Sequence, residues 1–382
     1  MNRFVRSVLY GGFALTGVLT TLLGPILPEL AARWRLDDAH AGLLFAAQFL
    51  GSLSGALLSG RMASRFGVRT PIAAGYAIAA AGVVGVAAGP WMAGISGVAT
   101  WGLGLGLVIP STNLLVAELS RERRVAALNV LNFAWGLGAV AAPPAIAASL
   151  PAAGLGAFLV GLAGLLGAAA LGVVTFRAGA PSEQPAPAAA GVWRGSWIWL
   201  TGVFLFLYVG VENGLAGWMP SYATRVLRLP NGTMAVAQAG FWGAILGVRL
   251  LAPALLRRMP APSLIVSGLA LASLGMALLP ASSNTASLVA GALLAGAGLA
   301  TVFPTAVALF TERAGAQGAR VTGVVFAMAA LGGATVPWAM GAVSTHFGSL
   351  RLALAAPLVC GLMMIALRLR EARWPRLLYM SK

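Results

Sequence analysis

The sequence predicts an all-α membrane protein of twelve transmembrane helices, arranged in two pseudo-symmetric six-helix halves. Composition, bilayer-length apolar runs and an internal repeat predict this fold. Of the 382 residues, 59% are hydrophobic and 9% are charged, whereas about 25% are charged in an ordinary soluble domain. Because a soluble protein of this size could not bury so much apolar surface, lipid is the expected solvent. The net charge of +16 does not indicate nucleic-acid binding, since the arginines lie in short clusters between apolar runs.

Apolar runs of about 18–25 residues recur along the chain, and each is long enough to cross a bilayer once. The runs are continuous rather than alternating, which predicts helices and excludes a transmembrane barrel. The predicted spans are 8–32, 39–60, 71–92, 94–118, 125–147, 152–176, 195–218, 234–256, 263–280, 287–310, 321–344 and 351–369.

The basic residues predict the orientation of these spans. With a cytoplasmic N-terminus, nineteen of the 25 basic residues face the cytoplasm, five face outward, and only Arg249 lies inside a span. We therefore expect a multi-pass plasma membrane protein, in a bacterial inner membrane, with both termini cytoplasmic.

One long polar interruption divides the chain. It runs from Arg177 to Arg194 and is rich in proline and alanine, a composition typical of linkers. The predicted domains are an N-terminal six-helix bundle (1–177), a cytoplasmic linker (178–194) and a C-terminal six-helix bundle (195–382).

The two halves carry the same residues at a nearly constant offset, which indicates an internal repeat. The offset is 192 or 194 positions in four pairs of spans. Alignment through Pro28 and Pro220 places Glu212-Asn213 opposite Thr20-Thr21. The matched residues are Gly104, Pro110 and Glu118 with Gly298, Pro304 and Glu312; Gly138 and Pro143 with Gly332 and Pro337; Gly51 and Gly55 with Gly243 and Gly247; and 28–33 with 220–225.

The segment after the second span, Gly60-Arg-Met-Ala-Ser-Arg-Phe-Gly-Val-Arg69, resembles a signature of the major facilitator superfamily. The resemblance lies in Arg65, Gly67 and Arg69, and it implies a loop that helps to gate the cytoplasmic side. Ser64 replaces the usual acidic residue. The segment Glu118-Leu-Ser-Arg-Glu-Arg-Arg124 resembles the partner of that gate. The superfamily's parallel repeat implies a solute site between the halves, near the midplane.

A narrower resemblance concerns the seventh span. Tyr208-Val-Gly-Val-Glu-Asn-Gly-Leu-Ala-Gly-Trp218, followed by Tyr222, is similar to the fucose–proton symporters and their sodium–glucose relatives. Gly247-Val-Arg249 also resembles an element of that group. The resemblance implies a sugar or small polyol as solute. Leu23-Gly24 stands where the proton symporters carry Asn-Asp, so coupling rests on Glu212, uses another ion such as Na⁺ instead of H⁺, or is absent.

Glu212 is the leading candidate for a functional residue. A carboxylate in an apolar span costs a few kcal/mol or more, and such groups usually face a water-filled cavity. Glu212 and Asn213 are therefore expected to bind solute hydroxyls, with Glu212 also carrying the coupling proton. The alternative is a structural ion pair with Arg249, which the predicted depths allow only if the helices shift. Arg249 itself is expected either to attract an anionic solute or to form an internal salt bridge.

Further polar and aromatic residues are weaker candidates for solute binding. Asn132 lies at the depth of Asn113 and Asn129, where amides line a path or join helices. Hydroxyls and amides in helices can also bond to their own backbone. Aromatic rings can stack on a sugar, but they also serve packing and interface anchoring; Trp218 and Trp338 are expected to be such anchors. The remaining candidates are Thr20, Thr21, Gln48, Gln238, Trp135, Tyr208 and Trp242.

No nucleophile–base pair, metal cluster or nucleotide loop is recognisable, so neither an enzyme nor a cofactor beyond a coupling ion is expected. The leading hypothesis is sugar transport by alternating access, through proton symport or facilitated diffusion. The alternatives are a proton-driven exporter of drugs or metabolites, an organic-anion carrier that uses Arg249, and a transporter-like sensor. Amides and rings around Glu212 favour sugar, whereas an apolar lining favours export. The expected partners are the bilayer and a small solute, without nucleic acid, and the expected state is a monomer.

Overall fold

The computed structural model describes residues 3–175, 195–314 and 318–379, in which all regular structure is helical. The helices are α1 (Arg3–Thr21), α2 (Leu23–Trp34), α3 (Asp38–Phe66), α4 (Arg69–Ala88), α5 (Trp91–Leu119), α6 (Arg124–Thr175), α7 (Ser196–Ser221), α8 (Asn231–Leu256), α9 (Ala261–Ala281), α10 (Thr285–Leu299), α11 (Val302–Ala314), α12 (Gly318–Phe347), α13 (Leu350–Ala353) and α14 (Ala356–Tyr379). The predicted linker, 178–194, lies outside the described residues.

The helices of the described ranges form the twelve predicted spans. Ten are long and apolar enough to cross a membrane, and α1 with α2 makes an eleventh that bends by 47°. The 52-residue α6 contains two spans, because Gly154 interrupts it with a φ of 77° and a ψ of 166°. Dividing α6 there gives twelve, and the predicted fold class is confirmed.

Two predicted spans, 8–32 and 287–310, are interrupted ahead of a proline, and a third, 351–369, is interrupted at Leu354-Ala355, between α13 and α14. The first breaks at Leu22, between α1 and α2, and the second at Ala300-Thr301, between α10 and α11. In these first two spans a proline lies four residues after a carbonyl at the break: Pro25 after Thr21, and Pro304 after Ala300. A proline has no N–H to donate to that carbonyl, and its ring clashes with it.

The internal repeat appears as equivalent helix contacts. A Cβ atom at Gly138 would lie 1.9 Å from the carbonyl oxygen of Ala14, and one at Gly332 would lie 1.9 Å from that of Phe206. Gly104 and Gly298 likewise approach the backbones of α4 and α9. The contact is not repeated at Gly51 and Gly243, since Gly51 packs on Ala99 whereas nothing lies within 4 Å of Gly243.

The halves meet at the end that the charge pattern assigns to the outside, which we call the outer end. There α2 packs on α7, and α3 packs on α12. Asp38, at the start of α3, accepts hydrogen bonds from Arg225, which follows α7, and from Ser344 of α12, whose Oγ lies 2.6 Å away. We call Asp38, Arg225 and Ser344 the outer latch. Its carboxylate is buried, so the latch closes this end of the protein.

At the opposite end, a cavity of about 940 Å³ opens beside the first half. Its lining includes Tyr10 of α1, Glu118 of α5 and Phe133 of α6. The structure therefore combines a closed outer end with a large cavity at the predicted cytoplasmic end.

Replacement of Gly138 or Gly332 by alanine is expected to lower the stability of the protein. Each new methyl group would overlap a backbone carbonyl, and overpacking of this kind costs about 1–3 kcal/mol. Thermal melting in detergent measures the effect. Gly164→Ala is the control, because nothing lies within 4 Å of that glycine, and it should melt at or above the wild-type temperature. Equal melting of all three variants would show that these contacts are not tight.

Asp38→Asn is expected to open the outer end. The substitution weakens hydrogen bonds to a charged group, which contribute about 1.5–3 kcal/mol. Spin labels at Glu29→Cys and His346→Cys, in a Cys360→Ser background, report the distance between α2 and α12. A second, longer distance should appear in the variant.

The neighbouring Asp37→Asn is the matched control for this measurement. Asp37 is exposed and accepts a hydrogen bond from the backbone of His40 within its own half, which holds the pKa of Asp37 below its usual value. The Asp37→Asn variant should leave the distribution of spin-label distances unchanged. An unchanged distribution in Asp38→Asn as well would mean that the latch does not control closure.

Candidate functional site

The candidate site is built around Glu212, within the 26-residue α7. Its side chain is only 14% exposed. Tyr208, one turn earlier on the same face, donates a hydrogen bond from its hydroxyl to Glu212 Oε1 at 3.0 Å. The carboxylate is thus held inside the protein rather than at a lipid-facing surface.

Arg249 forms an ion pair with Glu212, although their predicted depths placed them apart. Nη2 of Arg249 lies 3.6 Å from Oε1 of Glu212. The long arginine side chain bridges the difference in depth between its own backbone and the carboxylate. The alternative in which Arg249 is the internal partner of Glu212 is therefore the arrangement in this structure.

The break between α10 and α11 supplies two further partners. Nε of Arg249 donates to the carbonyl oxygen of Ala300 at 3.1 Å, the group that Pro304 leaves without a helical N–H. The Tyr208 hydroxyl also lies 3.0 Å from the carbonyl oxygen of Leu299. We call Tyr208, Glu212 and Arg249, with these two carbonyls, the carboxylate cluster. It joins α7, α8 and the α10–α11 break.

The chemistry of this cluster depends on whether Glu212 is charged. With Glu212 ionised, the pair with Arg249 is neutral, and both charges are compensated in a low-dielectric site. When Glu212 binds a proton, the attraction is lost while Arg249 keeps its charge. Because the cluster joins three elements, proton binding at one atom changes contacts between helices.

Glu212 also differs in position from four other acidic residues. Asp37, Asp38, Glu118 and Glu312, all within the described ranges, lie in loops or near helix ends.

A stripe of residues on α8 extends from the cluster. Gln238, Trp242 and Arg249 are spaced by four and seven residues, which places them on one face of the helix. Gln238 donates to the carbonyl of Ala216 at 2.8 Å. Within the described part of the chain, Oε1 of Gln238 and Nε1 of Trp242 are buried without a hydrogen-bond partner. Buried polar atoms of this kind call for a water or ligand partner.

Two of the predicted aromatic residues, Trp135 and Trp242, come together at the contact between the halves, whereas Tyr208 packs within the C-terminal half. Trp135 of α6 meets Trp242 edge to face, with ring centroids 5.7 Å apart. Phe303 packs on Tyr208 at 5.4 Å, and Phe326 packs on Phe303 at 5.9 Å. The two phenylalanines were not predicted, because phenylalanine in an apolar span carries no signal that separates lining from lipid contact.

Several predicted polar ligands bond to their own helices. The amide of Asn213 donates to Val209, and that of Asn132 to Leu128. The hydroxyls of Thr20 and Thr21 donate to Thr16 and Gly17 respectively.

Gln48 is bound at both ends of its amide. It donates to the carbonyl of Thr20 and accepts from Trp101 Nε1 at 3.1 Å. These five side chains thus have hydrogen-bond partners that belong to the protein itself, and Asn132 is exposed.

The predicted gating residues lie at the predicted cytoplasmic end. Gly67 adopts a φ of 82° in the turn between α3 and α4. Arg69 donates to the carbonyls of Val173 and Val174 at the end of α6, so it bridges two helices. The guanidinium of Arg65 lies over the ring of Phe66. Glu118 lines the large cavity, and Arg124 is exposed at the start of α6.

Trp218 is not an interface anchor, which corrects the sequence-based expectation. It is fully buried, and its Nε1 donates to the carbonyl of Pro337 at 2.8 Å. The ring lies between α7 and α12, where it also contacts Phe45. Trp338, by contrast, is 40% exposed.

The outer latch escapes prediction because its residues come from three distant segments. Asp38 and Ser344 are 306 positions apart, and Asp38 and Arg225 are 187 apart. The one available signal is charge, since Asp38 and Arg225 are opposite charges that the predicted topology assigns to the same side.

Curated relatives match part of this chain. An enterobactin exporter, EntS, from Citrobacter koseri is 32% identical over 179 residues, which is 41% of this chain and 41% of that protein. The exporter of the same name from Escherichia coli O127:H6 is 32% identical over 183 residues, or 42% of each chain. The chain therefore matches about two fifths of the length of these relatives.

Solved structures match nearly the whole fold. A point mutant of the nucleoside transporter NupG has a TM-score of 0.80 at 13% identity and covers 97% of this chain and 99% of its own. A bacterial homolog of the human lysosomal transporter Spinster, in an inward-facing and unoccupied conformation, has a TM-score of 0.74 at 15% identity, with 98% of each chain covered. The model of the Major Facilitator Superfamily matches residues 9–337, more than half of the chain, and the chain therefore belongs to the major facilitator superfamily.

Proposed function

We propose that this transporter exports a small organic solute in exchange for protons, by alternating access, with Glu212 as the proton-binding group. As a major facilitator, the chain is a transporter of a small solute. The carboxylate cluster is the observation that supports proton coupling through Glu212. It holds a buried, titratable group against the break between α10 and α11.

The proposed coupling follows from the contacts of Glu212. The ionised carboxylate attracts Arg249 and so holds α8 beside α7. A proton on Glu212 removes that attraction, which frees Arg249 and the carbonyls at the break to rearrange. A proton is the favoured coupling ion over Na⁺, because the neighbouring guanidinium repels a metal cation.

The contacts around the carboxylate cluster support an amphipathic solute over a sugar. Phe303 and Phe326 extend from Tyr208, whereas most of the amides and hydroxyls expected to bind a sugar bond to their own helices. The named function of the EntS relatives supports export. An organic-anion carrier is less favoured, since Arg249 is already paired with Glu212.

Sugar transport is the second candidate, because two aromatic rings and two unbonded polar atoms lie close to the contact between the halves. Trp135 and Trp242 meet at the contact between the halves, and Trp242 Nε1 and Gln238 Oε1 offer a donor and an acceptor for a hydroxyl group. The resemblance of 208–222 to the fucose–proton symporters supports the same solute class.

With its outer end closed, the protein is arranged to bind solute from the cytoplasmic side. The outer latch joins the halves, and the large cavity lies at the other end. The Spinster homolog, whose fold this chain shares, was solved inward-facing. In the proposed cycle this state accepts solute from the cytoplasm and binds it between the halves.

A thermal-shift screen of the purified protein separates the solute classes, because only a ligand of the native state raises the melting temperature. The panel contains sugars, organic acids, cationic dyes and enterobactin. Stabilisation by an amphipathic compound supports an amphipathic solute, and stabilisation by sugars alone supports the second candidate, a sugar. The compound with the largest shift then serves as the transport probe.

Glu212→Gln is expected to abolish proton-driven accumulation of the probe in proteoliposomes while leaving exchange of labelled for unlabelled probe measurable. The amide keeps the shape of the carboxylate but cannot exchange a proton. Uptake under an imposed pH gradient and counterflow without a gradient are measured on the same preparation.

Glu29→Gln controls for the loss of one acidic side chain, because Glu29 is exposed on α2. It should accumulate the probe like wild type. Wild-type accumulation by Glu212→Gln would remove Glu212 from coupling, whichever solute is carried.

Trp242→Phe is expected to weaken probe binding by about twofold to thirteenfold, the effect of losing one hydrogen bond of about 0.5–1.5 kcal/mol. The variant keeps an aromatic ring against Trp135 but removes Nε1. Titration calorimetry measures the affinity. Trp338→Phe, at an exposed position, should bind like wild type, and equal affinity for all three proteins would place the solute elsewhere.

A further inference from the structure

A second cavity, of about 210 Å³, lies between α7, α11 and α14 in the C-terminal half. Trp197 and Phe204 of α7 line one wall. Arg313 of α11 and Arg368 of α14 bring two guanidinium groups to the same space. None of the described residues that line this cavity carries a carboxylate, and the nearby Glu312 is exposed and outside the lining. The cavity is therefore positively charged.

Aromatic rings hold both guanidinium groups in place. Cζ of Arg313 lies 5.2 Å from the ring centroid of Trp197, and Cζ of Arg368 lies 5.2 Å from that of Phe204. Stacking of this kind occupies the face of a guanidinium and directs hydrogen bonding to its N–H edges. Those edges match the oxygens of a phosphate group.

The position of the cavity matches the headgroup region of one leaflet. Trp197 is the second residue of α7, and Arg313 is the second-last residue of α11. Both lie at the end that the charge pattern assigns to the cytoplasm. Leu200, Leu309 and Leu367 complete the lining with apolar surface. Basic pockets between helices on this side of a membrane are suited to anionic headgroups.

We propose that the cavity between α7, α11 and α14 binds a phosphate ester anion, supplied by the headgroup of an anionic phospholipid. The two arginines bind the phosphate oxygens, and the leucines contact the first part of an acyl chain. The site is separate from the carboxylate cluster, because Phe204 and Glu212 are eight residues apart on α7, or about 12 Å along the helix. It does not depend on the proposed export function.

The test uses the full-length protein in nanodiscs of phosphatidylcholine, with and without phosphatidylglycerol. We expect phosphatidylglycerol to raise the melting temperature of the wild-type protein. Arg313→Gln, and its double variant with Arg368→Gln, should show less than half of that increase. Arg313→Lys should be intermediate, because it keeps the charge but loses the planar fork.

Arg257→Gln is the matched control, since Arg257 is an exposed arginine outside the cavity, and the variant loses the same charge. It should respond to phosphatidylglycerol like wild type. An equal response of Arg313→Gln and Arg257→Gln, or no response of the wild-type protein, would overturn the proposal.

Two further measurements distinguish a lipid headgroup from a soluble phosphate compound and control for loss of stability. The first adds inorganic phosphate to phosphatidylcholine nanodiscs. Stabilisation that depends on Arg313 would support phosphate binding but would assign a soluble phosphate ester, not a lipid, as the ligand. Native mass spectrometry counts bound phosphatidylglycerol, so it tests the site even if a variant melts at a lower starting temperature. Equal numbers of bound lipids on wild type and the double variant would contradict the proposal.

Discussion

The ion pair between Glu212 and Arg249 explains the arrangement of the centre of the C-terminal half. A membrane interior leaves few partners for a buried charge or an unpaired carbonyl. Here one guanidinium meets both needs, since it lies beside the carboxylate of Glu212 and donates to the carbonyl of Ala300. The break in the tenth span and the charge in the seventh therefore stabilise each other.

Glycines allow close backbone contacts both within each half and between the halves. Within a half, glycines bring helix backbones into direct contact, as at Gly138 and Gly332. Close backbone packing of this kind resists deformation. Between the halves at the outer end, a Cβ atom at Gly24 would lie 2.4 Å from the carbonyl oxygen of Ala216, and one at Gly341 would lie 2.2 Å from that of Asp38. The outer latch adds a carboxylate bonded to an arginine and a hydroxyl. The polar contacts of the latch can be exchanged for contacts with water, whereas the close backbone contacts cannot.

The internal repeat, and the high free-energy cost of a charge in an apolar span, make parts of this structure predictable from the sequence. The twelve spans follow from bilayer-length apolar runs, and the equivalent glycine contacts follow from an offset visible in the sequence. Glu212 is identifiable because a carboxylate in an apolar span is expensive. The shared offset of Gly104 and Gly298, in particular, indicates that α5 and α10 pack in equivalent ways within their halves.

Other features depend on side-chain reach and on distant contacts, which a single sequence does not encode locally. Backbone depth alone disfavours the pairing of Arg249 with Glu212, and the long arginine side chain overcomes that difference. Pro304 is visible in the sequence, but the sequence does not show that Arg249 donates to the carbonyl of Ala300, which the proline leaves without a helical N–H. Trp218 lies at the expected boundary, yet the approach of α12 buries it. The outer latch needs three segments that only the fold brings together.

Gly154 also limits what can be recognised at the outer end of the protein, as the charge pattern assigns it. The fifth and sixth spans follow each other through one non-helical residue, so the chain reverses with almost no loop. A positive φ favours glycine at this position. The reversal exposes little backbone to which an antibody, a phage or a protease could bind. Molecular recognition of the first half from outside is therefore confined to its other outer turns, including the one between α2 and α3, which lies beside the outer latch.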